Sequence, residues 1–206
     1  MLDEEQIRTL SAAPVQPAFH LINGESCGAS DGATMDVLSP LDGGVLTTMP
    51  RGTRDDAKAA VSVARRAFDD GRWSGLAPAE RKKILLKWAD LIEKNAVDLA
   101  VLGVRDNDTE ISMALKAEPM SAAGTIRYFA EAIDKLYGEI APTAPGTLGL
   151  IHREAVGVVG AIVPWNFPLM IGAWKLGPAL AAGCTVVLKP AETASLTLLR
   201  IAELAL

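Results

Sequence analysis

Two uninterrupted apolar runs, GVVGAIV at 157–163 and CTVVL at 184–188, constrain this chain more than any other feature. Each is too short for a helix, is rich in Val and Ile, and lacks the polar alternation of a half-exposed strand. Each therefore predicts a strand covered on both faces. Between them NFPLMIGAWKLGPALAAG predicts a helix, and SLTLLRIAELAL after the second run predicts another. The order β-α-β-α implies a parallel pair joined by a right-handed crossover, and open parallel sheets bind ligands beyond the carboxyl ends of their strands. Those ends run into Pro164-Trp165-Asn166-Phe167-Pro168 and Lys189-Pro190-Ala191-Glu192, which puts polar side chains where a nucleotide cofactor would lie.

Asn166 sits between two prolines that stiffen its loop and carries a neutral amide donor, the kind of group that stabilises a developing oxyanion without the cost of burying a charge. The same residue type is also a favoured helix N-cap, and local pattern leaves both roles open. Lys189 and Glu192 offer an ammonium donor and a carboxylate acceptor suited to ribose hydroxyls, or else a solvated surface pair. In the ribose role Glu192 would repel a 2′-phosphate, favouring NAD over NADP. No GxGxxG follows the first run, so the common dinucleotide fingerprint is missing.

Upstream, residues 19–50 hold short apolar runs separated by Asn23-Gly24, Asp31-Gly32 and Asp42-Gly43, which predicts a small β-meander. Thr53 is placed to cap a helix that stops at Gly71, with Ala57, Ala60, Val61, Ala64 and Phe68 on its apolar face. Pro78 opens another, with Ile84, Leu85, Trp88, Leu91 and Ile92 as its stripe. Two further helices are expected over about 97–116 and 119–137, the first interrupted by DNDTE. The Pro/Gly/Thr-rich segment IAPTAPGTLG marks a boundary near 140, and residues 148–163 read as strand throughout.

Half of the residues are hydrophobic and 22% are charged, the composition of a globular chain. A net charge of −5 is a poor footprint for nucleic acid. Cys27 and Cys184 are far apart and outside any Cys/His cluster, so no disulfide framework and no metal site are expected, and a cytoplasmic location is the default. Pro164, Asn166, Pro168, Lys175 and Pro178 break the most apolar stretch, so no membrane span is expected, and the acidic N-terminus lacks the form of an export signal.

The stretch GVVGAIVPWNFPLMIGAWKLGPALAAGCTVVLKPAE, residues 157–192, closely resembles the cofactor-domain signature of the aldehyde dehydrogenase superfamily. The resemblance extends back over RWSGLAPAERKKILLKWADLIE, LYGEIAP and the region beginning LINGE. Its middle region is similar to the bacterial ω-aminoaldehyde group, which includes γ-glutamyl-aminobutyraldehyde dehydrogenases. It implies an α/β fold: the N-terminal part of an aldehyde dehydrogenase, with a small β-meander and helices over 1–140, an oligomerisation-hairpin strand within 141–156, and the start of a Rossmann-like NAD-binding core over 157–206.

The resemblance further implies NAD-dependent oxidation of an aldehyde to a carboxylic acid through a cysteine thiohemiacetal. Asn166 matches the family's oxyanion donor, and Lys189 and Glu192 match the residues that bind the adenosine ribose. Ile162, Val163, Pro164 and Trp165 match the cofactor cleft. Phe167 and Trp174 fall on positions resembling the wall of the aldehyde tunnel, or are plain core. The strand at 148–154 would pair with a like subunit. The family's nucleophilic cysteine and general-base glutamate lie downstream of KPAE, so the catalytic domain is expected to lie outside these residues and the 206-residue chain alone to be inactive. The alternative is a non-catalytic fragment that binds nucleotide weakly or associates with full-length subunits. Cys184, at the head of a buried strand, is not a substitute nucleophile, because apolar burial raises a thiol's pKa. Departures from the pattern are Cys184 where Asn is common, Ala155 where Pro is common, and DNDTE where DNGKP is common.

Overall fold

The computed structural model describes residues 4–206. Residues 1–3, the start of the segment read as lacking an export signal, lie outside them. The chain opens with a helix that the sequence reading did not anticipate, α1 (Glu4–Ala12). Its last carbonyls are held from a distance, since the Arg105 guanidinium donates to Ala13 O at 2.7 Å.

The β-rich segment forms two separate hairpins, which corrects the single meander. In the first, β1 (His20–Ile22) and β2 (Glu25–Cys27) are joined by Asn23-Gly24, both at positive φ, as a two-residue turn requires. In the second, β3 (Thr34–Leu38) pairs with β4 (Val45–Pro50). The Asp31-Gly32 turn does not fold the chain back along β2. Asp31 accepts the Ala33 N–H, and Ser30 donates its backbone N–H to Asp56 at 2.9 Å, so the connection is drawn toward the next helix.

That helix, α2 (Arg54–Asp69), starts at a reciprocal capping box between Thr53 and Asp56. Of its expected apolar face only Ala64 is buried, and Val61 is half exposed. In α3 (Pro78–Lys94) the buried face is Leu85, Trp88, Ala89 and Ile92, with Ile84 left at the rim. Next, α4 (Ala96–Asn107) ends where Asp108 turns left-handed at φ 55°. After this break α5 (Ile111–Leu115), a π-helical turn (Lys116–Met120) and α6 (Ser121–Ala132) run on continuously, followed by a 3₁₀ turn (Ile133–Lys135). Pro119 therefore does not open a helix. It sits inside one, and the widened π turn accommodates the N–H that proline lacks.

The long strand expected over 148–163 is two strands. Gly157, at φ 116°, redirects the chain between β6 (Gly149–Ile151) and β7 (Val158–Ile162). Part of the supposed linker is itself a strand, β5 (Glu139–Ala141), antiparallel to β6. The crossover α7 (Pro168–Ala181) then leads to β8 (Thr185–Lys189), which pairs parallel with β7, and α8 (Leu196–Glu203) follows. Leu85, Trp88, Ile126, Leu169, Ala173 and Leu198 form the centre of the main core, where α3, α6, α7 and α8 meet. The Trp88 indole N–H, donating to Ile201 O at 2.8 Å, ties α3 to α8.

The α/β expectation holds, and the β-α-β-α order is as the apolar runs imply. Complete cover of β7 does not hold: Ala161 and Val163 are buried while Ile162 is 81% exposed. Among the described residues the parallel sheet has two strands, and no element covers that end of β7.

Candidate cofactor site at the strand ends

In register, Ile162 stands opposite Lys189. The Val163 N–H continues the ladder to Lys189 O at 3.1 Å, so both chains leave the sheet side by side. Residues 164–168 rise from one strand end and 189–192 from the other. This brings Asn166, Lys189 and Glu192 to one rim of the molecule, the rim at which open parallel sheets take ligands.

Pro164, Trp165 and Asn166 are exposed there. The Asn166 side chain makes no hydrogen bond to the described residues and does not cap α7. Phe167 stands at the N-cap, half buried and left-handed at φ 53°, with no side-chain acceptor to offer. Pro168 takes the first helical position, where the missing N–H costs nothing. The Met170 N–H is satisfied instead from 52 residues away by the carboxylate of Glu118, at 3.0 Å. The cap role for Asn166 is thus filled by another residue, leaving its amide free.

Lys189 and Glu192 form an exposed ion pair at 2.6 Å, and the Lys189 ammonium holds the Glu192 carboxyl below its ordinary range. Val163 is 2% exposed and belongs to the core, so it offers the rim its backbone only. Trp174 is not core: half exposed on α7, it borders a groove with Ser121, Gly124, Thr125, Tyr128 and Phe129. Phe167 is not among the residues that line that groove.

Two further acids that the sequence does not single out are buried here. Glu118 is 3% exposed and Asp106 is 2% exposed, each at the N-terminus of a helix that leaves the rim. Asp106 accepts the Leu196 N–H of α8 at 2.9 Å. Burial pushes each carboxyl up to about 7, against the opposing pull of the backbone N–H each accepts. No local signal marks them, because Asn166 and Ser195 both look like ready caps; the structure instead puts Phe167 at the N-cap of α7 and turns the Ser195 hydroxyl to the Met49 sulfur.

Cys184 is buried, Cys27 is half buried, and both are free. Among the described residues no group of three or more His, Cys, Asp or Glu could hold a metal ion, and no helix is long and apolar enough to cross a membrane.

A parallel β-α-β unit with polar groups at its carboxyl rim defines an α/β protein of the kind that takes ligands at that rim. The aldehyde dehydrogenase family model matches residues 28–206, and the chain belongs to that family. It is 47% identical over 200 residues to the NADP/NAD-dependent aldehyde dehydrogenase PuuC of Escherichia coli, covering 97% of this chain and 40% of that protein. It is 42% identical over 205 residues to aminoacetaldehyde dehydrogenase of Pseudomonas aeruginosa, covering 100% of this chain and 41% of the relative. Among solved structures, an indole-3-acetaldehyde dehydrogenase complexed with NAD+ superposes with a TM-score of 0.96 at 46% identity, covering 100% of this chain and 41% of that one. The chain thus spans about 40% of the length of the curated relatives it matches.

Proposed function

We propose that this chain is the N-terminal, cofactor-binding part of an enzyme that oxidises an aldehyde to the carboxylic acid with NAD, through a thiohemiacetal on a cysteine outside these residues. Three units serve that role: residues 1–140 as the first part of the cofactor-binding domain, 141–156 as the oligomerisation-hairpin strand, and 157–206 as the start of the Rossmann-like core. The observation that carries the reading is the shared rim of β7 and β8, where an amide without a partner follows one strand end and a Lys-Glu pair follows the other.

The residues present fit a dinucleotide. Lys189 donates and Glu192 accepts, together matching vicinal ribose hydroxyls. The exposed edge of Ile162, Pro164 and Trp165 offers an apolar surface, with Val163 contributing backbone. The Glu192 carboxylate disfavours a 2′-phosphate, which supports NAD over NADP. When bound, NAD supplies the two-electron acceptor. Asn166 then holds the oxygen of the aldehyde as negative charge builds on it; removing one such donor costs about 3 to 4 kcal/mol in comparable sites. Trp174 borders the approach of the aldehyde, with Phe167 between it and Asn166 in the chain. The exposed β5–β6 hairpin serves pairing with like subunits, and two free cysteines suit the reducing cytoplasm.

The test is to read the frame beyond the codon for Leu206, purify the polypeptide it encodes, and follow NADH formation with a panel of aldehydes. The expected result is aldehyde-dependent NADH that Asn166→Ala lowers about a hundredfold or more. A folded full-length product without aldehyde oxidation, or one indifferent to Asn166→Ala, overturns the reading.

A further inference from the structure

We propose that Glu118 is a positioning residue for Asn166: by capping α7 from the π-helical turn, it keeps the Asn166 amide out of the helix end and turned to the rim. The inference rests on reading Asn166 as the oxyanion donor.

The first N–H groups of any helix lack partners within it and must find them elsewhere. At α7 the local candidates fail or are withheld. Phe167 has no acceptor, Pro168 has no N–H, and Asn166, the one residue here whose type favours capping, is not engaged. Glu118 fills the vacancy with one carboxylate oxygen on the Met170 N–H at 3.0 Å, while its other oxygen is buried without a partner. Burying a carboxylate with half its hydrogen-bonding capacity unused is unfavourable. The positive end of the α7 dipole offsets part of that cost.

The placement has a geometric consequence. Phe167 is held left-handed at φ 53°, a conformation that bulky side chains avoid. A proline on each side limits the loop, and the grip of Glu118 on Met170 fixes the first turn into which the loop must run. Without that grip, residues 164–168 can relax and Asn166 can cap α7 itself. The donor would then be lost to the helix without any change in what the rim contains.

The experiment uses the full-length enzyme and compares wild type, Glu118→Ala, Glu118→Gln, Glu118→Asp and Asn166→Ala, with each Glu118 change also made in the Asn166→Ala background. Glu118→Ala is expected to lower kcat about ten- to a hundredfold while NAD binding is unchanged. Glu118→Gln, which keeps a carbonyl acceptor for the Met170 N–H, should recover most of that loss. In the Asn166→Ala background, Glu118→Ala should cost less than about twofold more, because its route to the reaction is already gone. An equal loss in both backgrounds would assign Glu118 a general structural role and overturn the proposal, as would a folded Glu118→Ala with wild-type kcat. Should Glu118→Ala fail to fold, Glu118→Asp decides: its shorter reach should lower kcat several-fold in the wild-type background and not in Asn166→Ala. If Asn166→Ala itself leaves kcat intact, the oxyanion reading has failed and this proposal falls with it, a result distinct from the others.

Discussion

The Asp106 carboxylate accepts the Leu196 N–H at 2.9 Å across 90 residues, tying the end of α4 to the first turn of α8. Its other oxygen is buried without a partner, and burial lifts the carboxyl from 3.8 to about 7. The folded chain therefore holds this proton more tightly than the unfolded one. Its contribution to stability is fully present below pH 4 and is lost as pH rises through about 7. Asp106→Asn keeps an acceptor for Leu196 and carries no charge. It should flatten the fall in stability between pH 4 and 7 by up to about 4 kcal/mol and leave stability at pH 8 equal or higher. Urea unfolding at a series of pH values, read by tryptophan fluorescence, checks this. Glu118 should leave a residual slope of the same sign, and parallel curves for wild type and variant would refute the assignment.

The packing of α7 on α8 makes a second prediction. A Cβ at Gly172 would overlap Leu198 Cδ2 and lie 3.5 Å from its Cγ, and Leu198 is itself 2% exposed. Gly172→Ala should therefore cost about 1 to 3 kcal/mol despite the better helix propensity of alanine. Gly124→Ala, in α6 with nothing within 4 Å of its added methyl, should instead gain about 0.5 to 1 kcal/mol. Thermal melts of the two variants should move in opposite directions.

Much of this fold was legible because its signals are local. The β-α-β-α order follows from two apolar runs, and the start of α2 follows from Thr53 with Asp56 three residues on. What escaped depends on contacts distant in sequence. Pro119 reads as a helix start until the π turn absorbs it, and Ile162 reads as core because its neighbours are apolar, although no element covers it here. The site divides in the same way. Asn166, Lys189 and Glu192 stand at strand ends that the runs locate, whereas Glu118 and Asp106 look like solvated acids until the helices they cap are packed against them. Local pattern also left open whether Asn166 is a cap, and a residue 48 positions away in sequence settles that by supplying the cap itself.

The β5–β6 hairpin carries a third prediction. Ile140 and Leu150 are register partners, 73% and 70% exposed, so apolar side chains face solvent on a two-stranded sheet that is marginal by itself. Pairing with a like subunit would cover them. Leu150→Glu in the full-length protein should raise the subunit dissociation constant at least about tenfold with an unchanged circular dichroism spectrum. Light scattering across a dilution series checks this, and an unchanged assembly state would remove the hairpin from the interface.

The final prediction concerns cofactor choice. The 2.6 Å bond from Lys189 to Glu192 holds an anionic acceptor at the end of β8, where the adenosine ribose is proposed to lie. A 2′-phosphate there would place a second anion against Glu192. Because both side chains are more than half exposed, solvent screens the repulsion, and a penalty of roughly 1.4 kcal/mol, about tenfold, is the reasonable scale. Glu192→Gln removes the charge but keeps an acceptor for a hydroxyl. In the full-length enzyme it should raise the ratio of kcat/KM with NADP to that with NAD about tenfold, mostly through KM. Lys189→Ala should weaken both cofactors, since the ammonium serves a hydroxyl and a phosphate alike. A Glu192→Gln enzyme with an unaltered ratio would place the ribose elsewhere on the rim.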